Sequence, residues 1–381
     1  MKVNILVGTR FQAAQLAKLL LKYKYKLSIY SSSPKSKWGL EKQDQHIIHF
    51  IPLFANIFTA ITKIALPSFL REQSVKVFDY LSSRFMREAD ILHVWSSFGL
   101  YSIKKAKKKG SIVFVEKSCP HPHTQSKLLD KEAEYLGVNR KTYSDSFTRR
   151  VIQEFDLADK VIVCSNYTLN SFLENGVNKD KLYNIALDAS FVPKKEHYRN
   201  YYSDTLTVGM VGGSVLRKGF IYLLQAWKEL QITGKKLLLK ASKTELMGVP
   251  KIWKLIEGDN TIEIIGYLEN MEDFYEQCNL FVFPSIDDGF GMVVFEALAC
   301  SLPVVITKNV GAGDFITDAK EGYIIDIRNS QQIKEKIEYL NDHRDVMQKM
   351  SKEAKKTFNA YQLRPDNYQN RVKQLYQQYK G

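Results

Sequence analysis

The segment from Leu280 to Asp326, LFVFPSIDDGFGMVVFEALACSLPVVITKNVGAGDFITDAKEGYIID, leaves the chain the fewest ways to fold. Its opening run, Leu280 to Phe283, is wholly apolar and stops at Pro284, which predicts a strand buried on both faces. A polar loop with two acids and two glycines follows, Ser285 to Gly291. Met292 to Cys300 is rich in helix formers and ends before Pro303, so it reads as a short helix. Leu302 to Thr307 reads as a second strand. A strand–loop–helix–strand unit of this kind belongs to a parallel sheet, and such sheets bind ligands at that loop.

Elementary chemistry says what the loop could hold. Gly291 lets backbone approach a ligand closely, and the first amides of the helix, at Gly291, Met292 and Val293, form an anion site suited to phosphate. Glu296 lies roughly 7.5 Å further along the helix axis at 1.5 Å per residue, near the offset from a diphosphate to its ribose. Asp288 would repel phosphate and makes sense as an acceptor for sugar hydroxyls. From spacing alone, a surface loop acid and an ordinary helix glutamate explain the same two residues equally well.

The wording PSIDDGFGMVVFEALACSLPVV resembles the donor-site signature of the retaining nucleotide-sugar glycosyltransferases of family 4, which have the GT-B fold. There two acids are separated by seven residues, with Phe-Gly just after the first. Here these are Asp288, Phe290-Gly291 and Glu296. The first acid of that family is usually Glu, and Ser301 stands where it usually has Gly. The resemblance implies two Rossmann-like domains facing each other across a cleft, with a C-terminal helix crossing back to the first domain. It also implies transfer of a sugar from a UDP- or GDP-sugar with retention at the anomeric carbon, and no cofactor or metal.

Bulk properties agree with a two-domain globular chain. It has 381 residues, 45% hydrophobic and 25% charged, enough for two cores. Its four cysteines lack metal-ligand spacing, as expected in a reducing compartment. The apolar run at Met1 to Gly8 is too short for a signal peptide, and nothing has the length and apolarity of a membrane span. Charge is uneven. Residues 1–150 hold 26 Lys and Arg against 11 Asp and Glu, the remainder 29 against 30. The basic clusters at Lys22–Lys26 and Lys104–Lys109 read either as a solvated face or as a dock for an anionic surface, membrane lipid or phosphate-bearing acceptor. The expected location is the cytoplasm, with peripheral contact at the cytoplasmic membrane face as an open alternative. A nucleic-acid partner is not expected, because no recognition helix or aromatic platform is visible.

The first half alternates strand and helix. Val3–Val7, the turn Gly8-Thr9-Arg10, helix Gln12–Tyr23 and strand Lys26–Tyr30 form the first unit. Residues 47–70 are the greasiest stretch. Phe54, Ile57, Phe58, Ile61 and Ile64 keep a helical period, fitting a core helix or an interfacial one. Strand Ile91–Trp95, a basic helix and strand Ser111–Val115 follow, the last leading into the loop Glu116 to His123. His121 and His123 lack a third metal ligand. Helix Asn166–Asn175 is capped by Ser165 and stopped by Gly176. The resemblance assigns residues 1–190 to an acceptor-binding domain, completed by a crossing helix at 360–381. Its acceptor-side residues are Gly8 and Thr9, and Glu116, Lys117 or His121.

Residues 189–204 are polar and aperiodic and read as the hinge. The second domain, 204–359, opens with strand Leu206–Val211 and the turn Gly212-Gly213-Ser214-Val215-Leu216-Arg217-Lys218-Gly219. Glycines beside Arg217 and Lys218 at a strand–helix turn make a cationic pocket for diphosphate. Lys218 matches the lysine of the resembling family, Gly213 replaces its usual arginine, and Arg217 is expected to supply that charge. After strand Ile262–Ile265, the resemblance implies backbone contacts from Tyr267 and Leu268 to the nucleobase. The expected reaction is transfer from a nucleoside diphosphate sugar to an acceptor hydroxyl on a glycan or lipid-linked glycan, with no protein nucleophile required. The alternatives are a nucleotide-sugar epimerase of the same fold and a non-catalytic nucleotide-sugar-binding protein.

Overall fold

Apolar runs of four to six residues separated by amphipathic helices leave one economical arrangement, a parallel sheet covered by helices on both faces. The computed structural model contains two such sheets and describes residues 1–10, 12–53, 67–139, 141–196 and 201–379. The first half runs β1 (Lys2–Val7), α1 (Ala13–Lys22), β2 (Lys26–Ser31), β3 (Ile48–Phe50), α2 (Ser68–Phe85), β4 (Ile91–Trp95), α3 (Leu100–Lys108), β5 (Ile112–Lys117), α4 (Pro122–Leu136), α5 (Asp145–Leu157), β6 (Lys160–Val163), α6 (Asn166–Glu174) and β7 (Leu182–Asn184). Its strands pair in the order β3-β2-β1-β4-β5-β6-β7, all parallel.

The second half runs β8 (Leu206–Val211), α7 (Phe220–Glu229), β9 (Lys235–Lys240), α8 (Lys243–Met247), α9 (Pro250–Ile256), β10 (Ile262–Ile265), α10 (Glu272–Glu276), β11 (Leu280–Phe283), α11 (Met292–Ala299), β12 (Val304–Thr307), β13 (Gly322–Ile325), α12 (Ser330–Asp342), α13 (Arg344–Leu363) and α14 (Tyr368–Gln377). Its parallel sheet has the order β10-β9-β8-β11-β12-β13. Every residue of β11 and β12 is buried, as central strands between two helical layers must be.

Two features depart from the sequence expectations. β5 continues through Glu116 and Lys117 instead of ending at Val115. The C-terminal segment is two helices, not one, broken between Leu363 and Tyr368 where Pro365 cannot continue a helix. α14 does return to the first sheet. Tyr376 Oη lies 3.0 Å from His93 Nδ1 and Tyr368 Oη donates to Glu116 at 2.8 Å. Of the greasy stretch 47–70, Ile48–Phe50 forms the edge strand β3. Its expected apolar stripe, Phe54 to Ile64, lies outside the described residues. Among the described residues no helix is long and apolar enough to cross a membrane.

The two halves touch through buried groups. Helix α4 belongs to the first half, yet Leu128, Leu129 and Leu136 pack into the core of the second. On the same helix the buried Glu132 accepts from Tyr222 Oη and Arg328 Nε, both at 3.0 Å.

Candidate active site

The turn after β8 and the loop after β11 are built to lie against each other. Gly219 sits at φ +70° at the start of α7, and a side chain there would overlap the Pro284 carbonyl. Glycine therefore admits the two backbones to contact. The Arg217 carbonyl accepts from Ile286 N at 2.9 Å and from Ser285 Oγ at 3.0 Å. This stitching brings together three of the residues singled out in the sequence. Lys218 Nζ pairs with Asp288 Oδ2, and Arg217 Nη1 lies 4.0 Å from the same oxygen. The other oxygen of Asp288 accepts from Gly291 N at 2.9 Å and Phe290 N at 3.3 Å. Burial pushes the Asp288 carboxyl up, but Lys218, Arg217 and these bonds outweigh it and hold the group below the usual range. Burial lowers the Lys218 ammonium, with Asp288 offsetting only part of that.

Gly291, at φ +83°, starts α11. Its amide is committed to Asp288, so of the three amides expected to face an anion, Met292 and Val293 are those not bonded to Asp288. The first turn of any helix leaves such donors without intrahelical partners. Gly212 packs on the Lys218 stem, whereas a side chain at Gly213 would meet nothing within 4 Å. That leaves open space in front of the turn.

Glu296 is half-buried and accepts from Tyr275 Oη at 2.8 Å. Its carboxyl is pushed up by burial, which the Tyr275 bond only partly offsets. Tyr267 is 90% exposed beyond the edge strand β10, and Leu268 packs partly against the core.

The first-domain residues fall in different places. Gly8 lies beneath the half-buried Phe98 ring, which a side chain there would have to displace. Thr9 beside it is half-exposed. Glu116 is bonded within the first half and to the returning helix, accepting from Tyr368 Oη and lying 3.1 Å from His93 Nε2. His121 caps α4 and packs against Phe172 and Phe155, and burial, then His123 and Lys117, pushes it down to about 4. It is therefore neutral at neutral pH. Lys117, at the end of β5, is buried. Burial would lower its ammonium, but Tyr143, Cys119, Glu154 and Asp287 hold it up.

Sequence reasoning passed over the residue next to Asp288. Asp287 is fully buried. Its carboxylate accepts from Gln125 Nε2 at 2.6 Å and from Tyr167 Oη at 3.1 Å, both in the first half. Tyr143 Oη in turn donates to Gln125 Oε1 at 2.7 Å. The doubled acid in the loop was the available signal. Gly289 then meets the backbone of Ser118 so closely that a side chain would overlap it, and its carbonyl accepts from Ser165 Oγ at 2.6 Å. Among the described residues no group of three or more His, Cys, Asp or Glu could hold a metal ion.

Two parallel-sheet Rossmann-like domains, with strand-end loops meeting across a crevice, define the architecture of GT-B glycosyltransferases. HepE from Anabaena, solved with UDP and glucose, superposes with a TM-score of 0.68 at 16% identity, covering 99% of each chain. Residues 194–357, which span the second sheet, match the family of glycosyl transferases group 1. An uncharacterized glycosyltransferase of Methanocaldococcus jannaschii is 30% identical over 217 residues, 52% of this chain and 54% of that one. The capsular polysaccharide biosynthesis glycosyltransferase CapM of Staphylococcus aureus is 27% identical over 216 residues, 56% of this chain and 54% of that one. The chain thus spans about half the length of these two relatives. The matched residues and these relatives support glycosyl transferases group 1 as the family of the second domain.

Proposed function

We propose that the protein is a retaining glycosyltransferase of family 4 type, moving a sugar from a UDP- or GDP-sugar to a hydroxyl of a glycan or lipid-linked glycan. The observation that carries this reading is the joining of Lys218, Arg217 and Asp288 in front of the first turn of α11. The difficult step is departure of the diphosphate as an anion. Two cations against the one charge of Asp288, with the amides of Met292 and Val293, stabilise that charge as it builds. Gly212 and Gly213 let the phosphates approach the turn. Asp288, held ionised, accepts hydrogen bonds from hydroxyls of the donor sugar, with Phe290 and Gly291 shaping its seat. Glu296 takes the ribose, and the turn at Tyr267 and Leu268 takes the base.

The first domain presents the acceptor near Gly8, Thr9 and Lys117. In this reading ammonium, guanidinium and amide groups do the electrostatic work, so no resident metal is required. The basic first half suits an anionic acceptor or a membrane surface, although Lys107 and Lys109 are paired with Asp159 and Glu88. Thermal shift with UDP, GDP and their sugars is expected to show stabilisation by one base series. NMR of the product with an oligosaccharide acceptor is expected to show the donor's anomeric configuration preserved. Stabilisation by neither series, or a new sugar isomer from donor alone, would overturn the proposal.

A further inference from the structure

Asp287 and Asp288 are neighbours in sequence, but their carboxylates point to different domains. Asp288 turns to Lys218 and Arg217 in its own half, while Asp287 is gripped by Gln125 and Tyr167 of the other. The backbone carbonyl of Asp287 accepts from Arg217 Nη1 at 3.2 Å. One residue therefore has its side chain anchored in the first domain and its main chain anchoring the guanidinium in the second. Helix α4 makes that anchor stiff. Gln125 and Glu132 are two turns apart on one face of it, and Glu132 is itself bonded to Tyr222 and Arg328. Tyr143 fixes Gln125 from the far side.

We propose that Asp287 is a positioning residue: the grip of Gln125 and Tyr167 on its carboxylate sets its carbonyl, and that carbonyl sets the place of the Arg217 guanidinium. The inference rests on the reading of Arg217 as a diphosphate contact. A residue acting this way affects ligand phosphates and not the nucleoside, and its effect vanishes when Arg217 is absent. The coupling would also make the first domain's contact a condition for full diphosphate affinity.

Calorimetric titration of UDP and GDP, with uridine and guanosine as controls, tests this on wild type, Asp287→Asn, Arg217→Ala and the double variant. Asp287→Asn keeps the size of the side chain but offers one acceptor to two donors. For the diphosphate that binds, Asp287→Asn and Arg217→Ala are each expected to weaken affinity about tenfold, the worth of one charge-assisted bond. Nucleoside affinity stays level, and the double variant binds no worse than Arg217→Ala. Tyr167→Phe, which removes one hydroxyl, is expected to show the same pattern more weakly and guards against a misfolded Asp287→Asn. Unchanged diphosphate affinity in Asp287→Asn, losses that multiply in the double variant, or an equal fall in nucleoside affinity would overturn the positioning role. Unchanged affinity in Arg217→Ala overturns the donor-site reading itself, and that single variant tells the two failures apart.

Discussion

At the scale of single residues, Lys218 has two tasks that an experiment separates. It neutralises the buried Asp288, and in the proposed reaction it steadies the departing diphosphate. Lys218→Ala is expected to lower kcat on the order of 10²- to 10³-fold, the usual cost of one lost donor at a developing oxyanion. Urea melts of the same variant report the first task and are expected to show lower stability, because Asp288 then keeps its amide bonds to Gly291 and Phe290 but, as a countercharge, only the distant Arg217. Undiminished turnover would remove Lys218 from the chemistry. The meeting of Lys218, Arg217 and Asp288 was legible because each lies in a short local pattern after adjacent strands. The bond from Gln125 to Asp287 was not, since its ends are 162 residues apart and glutamine in a helix carries no signal. Glu116 misled for a related reason. Its partners His93 and Tyr368 come from a neighbouring strand and from the returning helix, so nothing beside it in sequence reveals that it is spoken for.

At the scale of elements, strands β8, β10 and β11 could be read because their apolar runs are closed off by glycine or proline. The edge strands β3 and β7 have three residues each, too few to show a period. The last two residues of β5 carry no strand signal because both are charged, and Glu116 takes its partners from other segments. Helix α5 gives an element-scale prediction. Its Glu154 is fully buried and accepts from Ser97 N at 2.6 Å and Gly99 N at 2.9 Å, fixing the turn that starts α3. Burial pushes its carboxyl up to about 7 despite those bonds. Between the ordinary glutamate value of 4.5 and about 7, the folded state keeps this proton and the unfolded state loses it. Stability carried by Glu154 is therefore full below the lower value and falls as pH rises to the upper one, by about 3 kcal/mol. Glutamine stands in for the protonated carboxyl, so in denaturant melts wild type is expected to lose stability relative to Glu154→Gln across that window as pH rises. Parallel curves would assign the pH dependence to other groups.

At the scale of the whole molecule, the two domains are joined at close quarters by Gly289. Any side chain there would occupy the space of the Ser118 carbonyl, and backbone cannot step aside as a flexible side chain would. Gly289→Ala is expected to pry the halves apart, enlarging the radius of gyration in X-ray scattering. Turnover should fall on the order of 10²-fold, as for an ångström-scale misplacement of reacting groups. An unaltered scattering curve with full turnover would mean the contact is dispensable.

The return of α14 to the first sheet also bears on how the chain is made. Glu116 and its partner Tyr368 are 252 residues apart, an interval of about 13 to 50 seconds at common rates of translation. Throughout that time a newborn first domain holds a carboxylate and an imidazole destined for burial with nothing over them. Burial of that pair therefore waits until α14 has been made.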